Sequence, residues 1–306
     1  MRTTAIAASP GDHLVQFYSG DDELTGTVSG YLADGIRSGC GVVVVATAPH
    51  RRAFETALVS ADIDVRAEQD AGALLLVDAA ELLGGFLSGG RLDHERFQSL
   101  AVGLLQRAAD GGRPVRVYAE MVALLWDAGQ VTLAIELEEL WNELGLRFPF
   151  CLLCAYPARV VDDGDTVAVQ EVRWCHSAVI ATEPGGSGST STFMRETRSF
   201  PWELHAARAA RHYATGLLDR ADVAIVAAEL AANAVLHARS AFTVTVSRSA
   251  AGVRIAVRDY APLESGSFEV KKDHGLGVVT QLASRWAVDR LPDGKVVWVE
   301  LPVCPA

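Results

Sequence analysis

Positive charge is scarce in this sequence. Its 306 residues carry 27 Lys and Arg against 38 Asp and Glu, a net charge of −11 with a pI near 5.2. Nucleic-acid binding draws on cations set against phosphates, so an acidic chain with no helix-turn-helix pattern excludes DNA and RNA as direct partners. Long apolar runs are missing too. The strongest, Val42 to Ala48, lies between Gly41 and Pro49. It has the length of a buried strand, whereas a bilayer-spanning helix needs about 20 apolar residues. Met1 to Asp12 is rich in Ala and Thr, with one Arg and no apolar stretch, which is not a signal peptide. Cysteine is sparse and irregularly placed, at Cys40, Cys151, Cys154, Cys175 and Cys304. An odd count without an export signal offers no disulfide framework and points to reduced thiols in the cytosol. The expectation is a cytoplasmic protein with no membrane attachment.

Apolar residues make up 50% of the chain, enough to bury real cores, and the length suits two domains. Thr182 to Thr192 reads T-E-P-G-G-S-G-S-T-S-T. Glycine and small polar residues cannot bury enough apolar surface to order themselves, so a flexible linker is expected there. The reading is a first domain over residues 1–181, a linker over 182–198 and a second domain over 199–306.

In the first domain apolar strands alternate with helical stretches. Strands are expected at His13–Tyr18, Gly41–Thr47, Ala73–Asp78, Val115–Tyr118 and Phe150–Tyr156. Helices are expected at Asp22–Ser38, Arg51–Ser60, Asp93–Asp110 and Thr132–Leu144. Continuous apolar strands between helices imply a mainly parallel sheet covered on both faces. The acidic stretch Ile135 to Leu144 is either an interface or a solvated face. The second domain reads as α+β. Helices are expected at Trp202–Leu218, Ala221–Ala238 and Leu276–Trp286, a hairpin at Phe242–Arg248 and Gly252–Asp259, and a closing strand pair at Ala287–Leu291 and Lys295–Leu301.

The most informative stretch is Glu229-Leu-Ala-Ala-Asn233-Ala-Val-Leu-His237. On a helix these three polar residues stand at i, i+4 and i+8 and share one face. Asn233 offers a carbonyl oxygen of the kind Mg²⁺ accepts, and Glu229 a carboxylate able to deprotonate a hydroxyl. An amphipathic helix with a solvated Glu and Asn gives the same pattern. Asp273-His274-Gly275-Leu276-Gly277-Val278-Val279 then opens a helix, where glycines let backbone N–H groups approach phosphate. Between the two motifs a strand ends at Asp259, whose carboxylate is placed to accept from an adenine amino group.

Together these residues resemble the anti-sigma-factor serine kinase branch of the GHKL ATPases, the superfamily of gyrase and the histidine kinases. Leu282-Ala-Ser-Arg-Trp286 and Lys295-Val-Val-Trp298-Val-Glu-Leu are similar to that family as well. The resemblance covers Phe200 to Pro302 and implies a Bergerat ATPase-like α/β sandwich. It implies Glu229 as base, Asn233 as Mg²⁺ ligand, and ATP held by Asn233, His237, Asp259, Gly275, Leu276 and Gly277. It also implies a sigma factor or its antagonist protein as partner, and pairing of two copies of the chain. Where the family carries D-x-G-x-G, this chain reads Asp259-Tyr-Ala261-Pro262-Leu263. Two outputs follow: transfer of phosphate from ATP to a partner Ser or Thr, or docking without catalysis. A phosphoacceptor reading of His205 or His212 is set aside, because no dimerising helical hairpin precedes this domain.

The first domain opens with His13-Leu-Val-Gln-Phe17-Tyr18. Further on come Val115-Arg-Val-Tyr118-Ala-Glu120-Met-Val-Ala-Leu-Leu-Trp126, Leu137-Glu-Glu-Leu-Trp141-Asn142 and Cys151-Leu-Leu-Cys154-Ala-Tyr156-Pro157. From His13 to Val179 these runs resemble the MEDS sensory domain. That resemblance implies a RecA/KaiC-like α/β layer without a phosphate loop. Ser38-Gly39-Cys40-Gly41 indeed lacks the G-x-x-x-x-G-K-[ST] pattern. Ligands of open parallel sheets sit beyond the carboxyl ends of the strands, and Tyr18, His50, Asp78, Glu120 and Tyr156 are placed there. Asp78 is read as a helix cap, Glu120 as a ligand or hydrogen-bonding group. Cys151 and Cys154 stand three apart in a strand and point to opposite faces, which reads as buried thiols rather than a metal pair. His13 and His50 remain candidates to help hold a metal or haem, and His13, His50 and Cys154 are candidates to contact an unknown small ligand.

Overall fold

A computed structural model describes residues 9–162, 166–182, 188–192, 194–203, 205–249, 252–261, 276–291 and 294–303. The chain divides into two compact units, Met1–Thr192 and Phe193–Ala306.

The first unit begins β1 (His13–Tyr18), α1 (Asp21–Arg37), β2 (Gly41–Ala46), α2 (Ala48–Ser60), α3 (Val65–Asp70), β3 (Leu74–Asp78) and α4 (Ala79–Phe86). A small ladder, β4 (Leu87–Ser88) with β5 (Arg91–Leu92), leads to α5 (His94–Ala108), β6 (Val115–Ala119), α6 (Met121–Asp127) and α7 (Val131–Gly145). Then come β7 (Cys151–Pro157), α8 (Arg159–Asp162), α9 (Thr166–Cys175), β8 (Ala178–Thr182) and β9 (Gly188–Thr192). The sheet runs β3-β2-β6-β7-β1-β8-β9, parallel throughout except for β9, which is antiparallel to β8.

Every residue of β2 is buried, which is why four consecutive valines are tolerated: both faces of the sheet are covered. Leu24, Val28, Tyr31 and Leu32 of α1 form a helical stripe on one face, with Phe54 and Leu58 of α2. Residues of α4 to α9, among them Phe97, Leu137, Trp141 and Val172, cover the other. At Gly41 a Cβ would lie 1.9 Å from the Ala108 carbonyl oxygen, so only glycine lets α5 close onto β2. Asp64, Asp78 and Asp93 each accept a backbone N–H at a helix start, a cap worth about 1 kcal/mol. Asp78 therefore acts as the cap its position suggested.

The second unit holds β10 (Met194–Phe200), α10 (Ala206–Leu217), α11 (Ala221–Asn233), β11 (Phe242–Ser249), β12 (Gly252–Asp259), α12 (Leu276–Leu282), β13 (Arg285–Leu291) and β14 (Gly294–Leu301). Its sheet runs β10-β11-β12-β14-β13 and is antiparallel in every pair. Alternate residues Val244, Val246, Val253, Ile255, Val257 and Val299 meet Ala210, Ala214, Val223, Val226 and Leu230 from the helices in one core. By length and composition alone, Ala221–Ala238 could cross a membrane. In the fold, however, Val223, Val226, Ala227, Leu230 and Ala231 are buried in this core, as in a helix of a packed domain.

Three expectations change. Within the expected linker, Gly188–Thr192 pairs with β8 and Met194–Phe200 pairs with β11. Thr and Ser suit a pleated edge, and the ladder supplies the backbone partners that composition alone does not reveal. The helix expected over Leu276–Trp286 ends at Leu282. The Ser284 N–H donates to the Glu300 carbonyl, and Arg285 starts a strand against β14. The helix expected over Ala221–Ala238 keeps α geometry only to Asn233. It widens into a π turn over Ala234–Ala238 and stops at Arg239 in the left-handed region, φ 51°.

Candidate functional site

Tyr18, His50 and Glu120 fall into one polar cluster of the first domain, and His13, Cys154 and Tyr156 into another.

The outer cluster lies beyond the carboxyl ends of β2 and β6. Glu120 follows β6 directly, and β2 delivers Thr47 beside it. The Thr47 N–H donates to Glu120 Oε1, and Tyr118 O–H donates to Oε2 at 3.2 Å. His50, in the first turn of α2, places Nδ1 2.6 Å from Glu120 Oε2, and its Nε2 lies 3.7 Å from Asp21 at the start of α1. The hydrogen bond to Glu120 raises the His50 pKa above 6.5, burial opposing it and the charges of Glu120 and Asp21 adding to it. Tyr18 ends β1 in the same field. Burial, with Glu120 and Asp21, pushes its phenol up to about 12. Asp78 stands apart, bound to Arg51 at 2.7 Å and capping α4.

The inner cluster lies under α7, on the face shared by Val15 and Cys154. Glu138 is fully buried at its centre. His13 Nε2 is 3.1 Å from Glu138 Oε2, and His176 Nε2 is 3.5 Å from Oε1. Tyr156 O–H donates to Oε1 at 2.7 Å and the Cys154 thiol to Oε2 at 3.3 Å. Burial opposes the ionised form of Glu138, but His176, His13 and Tyr156 outweigh it and hold the pKa down to about 2. Burial and the Glu138 charge push the Cys154 thiol well above its usual range. Tyr156, expected at the carboxyl edge, thus turns inward. Cys151, on the opposite face among Tyr31 and Leu153, takes no part.

Glu138, His176 and Asn142 were not singled out in the sequence. Glu138 hid within an acidic run, though it stands four residues after Ala134 and three before Trp141, on the buried stripe of α7. Its acidic neighbours are also engaged within the fold: Glu136 with His94 at 2.7 Å, Glu139 with the Cys175 thiol at 3.2 Å.

The family model of the MEthanogen/methylotroph, DcmR Sensory domain, MEDS, matches residues 12–177. This is more than half of the 306 residues. The chain belongs to the MEDS family. Both clusters lie within this MEDS domain or end at its boundary, and a sensory domain assigns the chain a signalling role. An uncharacterized protein from Pyrococcus horikoshii, solved in complex with an unknown peptide, aligns at 11% identity and TM-score 0.43, over 61% of this chain and 83% of its own. A KaiC-like protein from Pyrococcus horikoshii OT3 aligns at 14% identity and TM-score 0.38, over 60% of this chain and 77% of its own. No curated protein matches the chain.

Outside the MEDS domain, Glu229 and Asn233 stand one turn apart on α11, both half-buried. His237 lies in the π turn and is exposed, so the shared face ends at Asn233: the wider turn breaks the four-residue phase. Asp259 ends β12 as expected and is buried, with Lys295 Nζ 2.7 Å from its Oδ2. The register sets the pair, since Asp259 and Lys295 face each other across β12 and β14. Gly294 makes it possible: at φ 154° a Cβ there would meet the Asp259 carbonyl oxygen at 2.0 Å. Leu276 and Gly277 begin the seven-residue α12. Gly275, Asp273, His274 and the segment 262–272 lie outside the described residues. Of the carboxylate assigned to the adenine base, Oδ2 is paired with Lys295 and Oδ1 lies 3.4 Å from the Ala261 N–H.

Proposed function

We propose that this chain is a signalling regulator in which the MEDS domain, on meeting a small ligand, changes what the second domain engages. The ligand is met at the outer cluster. Glu120, His50, Tyr18 and Asp21 sit where open parallel sheets receive ligands, and together they offer a carboxylate, an imidazole and a phenol. The second domain, by its Glu229–Asn233 helix and its antiparallel sheet, is read as a GHKL-type module of the anti-sigma-factor kind. Its partner is a sigma factor or the antagonist of one, acting in the cytoplasm.

The single observation that carries the choice of output is the buried Asp259–Lys295 pair. Lys295 occupies Oδ2 and the Ala261 N–H stands 3.4 Å from Oδ1, so an adenine amino group has to compete for Oδ1. Docking without catalysis is therefore the favoured output. The kinase reading rests on Glu229 and Asn233, which keep the spacing that chemistry needs. Calorimetric titration of the whole chain with Mg-ATP, beside Asn233→Ala, separates the two. Docking predicts no heat from either protein. Micromolar binding that Asn233→Ala abolishes would overturn it in favour of the kinase.

A further inference from the structure

We infer that the inner cluster is a binding site for a divalent transition metal of the zinc class, with His13 Nε2, His176 Nε2, Cys154 Sγ and Glu138 as its ligands. Their ligand atoms all lie within 4.8 Å of one another, and among the described residues no other such group occurs.

Hydrogen bonds fix how both rings face. Asn142 Nδ2 donates to the Cys175 carbonyl at 3.0 Å, which turns its Oδ1 toward His13 Nδ1, also at 3.0 Å. Oδ1 only accepts, so Nδ1 carries the hydrogen. His176 Nδ1 lies 2.6 Å from the Val172 carbonyl oxygen, another pure acceptor, and carries its hydrogen likewise. Each imidazole therefore turns Nε2 inward, toward the Glu138 carboxylate that the Cys154 thiol and the Tyr156 phenol also face. A cation in their midst is met by both Nε2 atoms, the sulfur and the carboxylate together.

Metal-bound histidines donate their other ring hydrogen to a carbonyl or carboxylate that fixes the tautomer, and here Asn142 and Val172 do so. Two imidazoles, a thiolate and a carboxylate form the borderline donor set of a tetrahedral zinc site. Tetrahedral bonds of about 2.0–2.3 Å set neighbouring ligand atoms about 3.3–3.8 Å apart. The His13–Cys154 and Cys154–Glu138 Oε2 separations are both 3.3 Å, His13–Glu138 Oε2 is slightly tighter at 3.1 Å, and His176 lies 3.5 Å from the other oxygen, Oε1. Binding releases the thiol hydrogen to solvent as a proton and leaves a metal–thiolate bond. With four protein ligands and no exposed face, the ion ties β1, β7, α7 and the end of α9 together as a closed structural centre. This holds whichever output the second domain has.

The test uses the full chain, stripped with a chelator and then given Zn²⁺ or Co²⁺. A stoichiometric ion should survive desalting, and Zn²⁺ should raise the thermal midpoint. Co²⁺ should show tetrahedral d–d bands in the visible and a thiolate charge-transfer band in the near ultraviolet. Cys154→Ser should abolish that band and weaken Co²⁺ binding by about tenfold or more, whereas Cys151→Ser, on the opposite face, should leave both unchanged. A charge-transfer band that survives Cys154→Ser overturns the site. If Cys154→Ser does not fold, the parent chain decides: no retained ion and a midpoint indifferent to chelator or Zn²⁺ overturn it equally.

Discussion

Glu120 and Glu138 invite comparison, because each is a buried carboxylate facing histidine and tyrosine on the same sheet. They differ in where their partners lead. Glu120 holds His50, whose side chain is 18% exposed, and His50 reaches Asp21, which is 82% exposed. A polar path thus runs from Glu120 to solvent, and Glu120 itself takes a backbone N–H from the Thr47 loop. Glu138 has no such path. Its partners His13, His176, Cys154 and Tyr156 are all buried, and two of them are anchored by Asn142 and a helix carbonyl. That path leaves Glu120 open to a ligand from outside, and burial on every side denies Glu138 the same access. The same residue types thus serve access in one place and cohesion in the other, and depth decides which.

The sharpest way to test that contrast is to remove each carboxylate in turn. Glu138→Ala leaves two imidazoles buried without their counter-charge and should cost about 3–5 kcal/mol in denaturant unfolding. Glu120→Ala should cost less, about 1.5–3 kcal/mol, the worth of hydrogen bonds to a charged group, because its partner His50 reaches solvent. Equal losses would break the distinction between a sealed and an accessible site. A milder probe is Tyr156→Phe, which removes one donor to Glu138 and keeps the ring packed against Trp126. Its cost should be about 1.5 kcal/mol, the low end for a hydrogen bond to a charged group, and the corresponding Tyr118→Phe should cost no more, since Glu120 keeps Thr47 and His50.

Much of this was legible in the sequence. The apolar runs of β1, β2, β6 and β7 lie where strands were expected, because a strand buried on both faces needs little else. The three-residue spacing of Cys151 and Cys154 put them on opposite faces, where they are. Tyr156 was placed in one carboxyl-edge group with Tyr18, His50, Asp78 and Glu120, and His13 and Cys154 were singled out apart from it. Their division into two clusters depends on which way each side chain turns, and that is set by packing against α7 and α9. Glu138 was read as part of an acidic face. Its burial follows from helix phase plus a histidine, His176, that arrives from a helix with no signature of its own. Gly188 to Thr192 was read as linker because its composition is that of one. The unpaired edge of β8 gives it a partner, and a tertiary contact of that kind leaves no mark in local sequence.

The smallest expected effect lies at the outer cluster and is read through pH. His50 has a pKa raised by Glu120, with Asp21 adding to it and burial opposing it, and Tyr118 and Tyr18 stand neutral alongside. A group whose folded pKa lies above its unfolded value near 6.5 contributes its full stability below that pH and loses it as pH rises through the folded pKa. The parent chain should therefore lose stability above pH 6.5 by more than His50→Gln does, and the two should converge once the imidazole is neutral in both states. Thermal midpoints measured across pH 6 to 9, at fixed ionic strength, give the comparison. Parallel curves would mean that His50 titrates alike in the folded and unfolded chain, and Glu120 would then hold no imidazolium in the outer cluster.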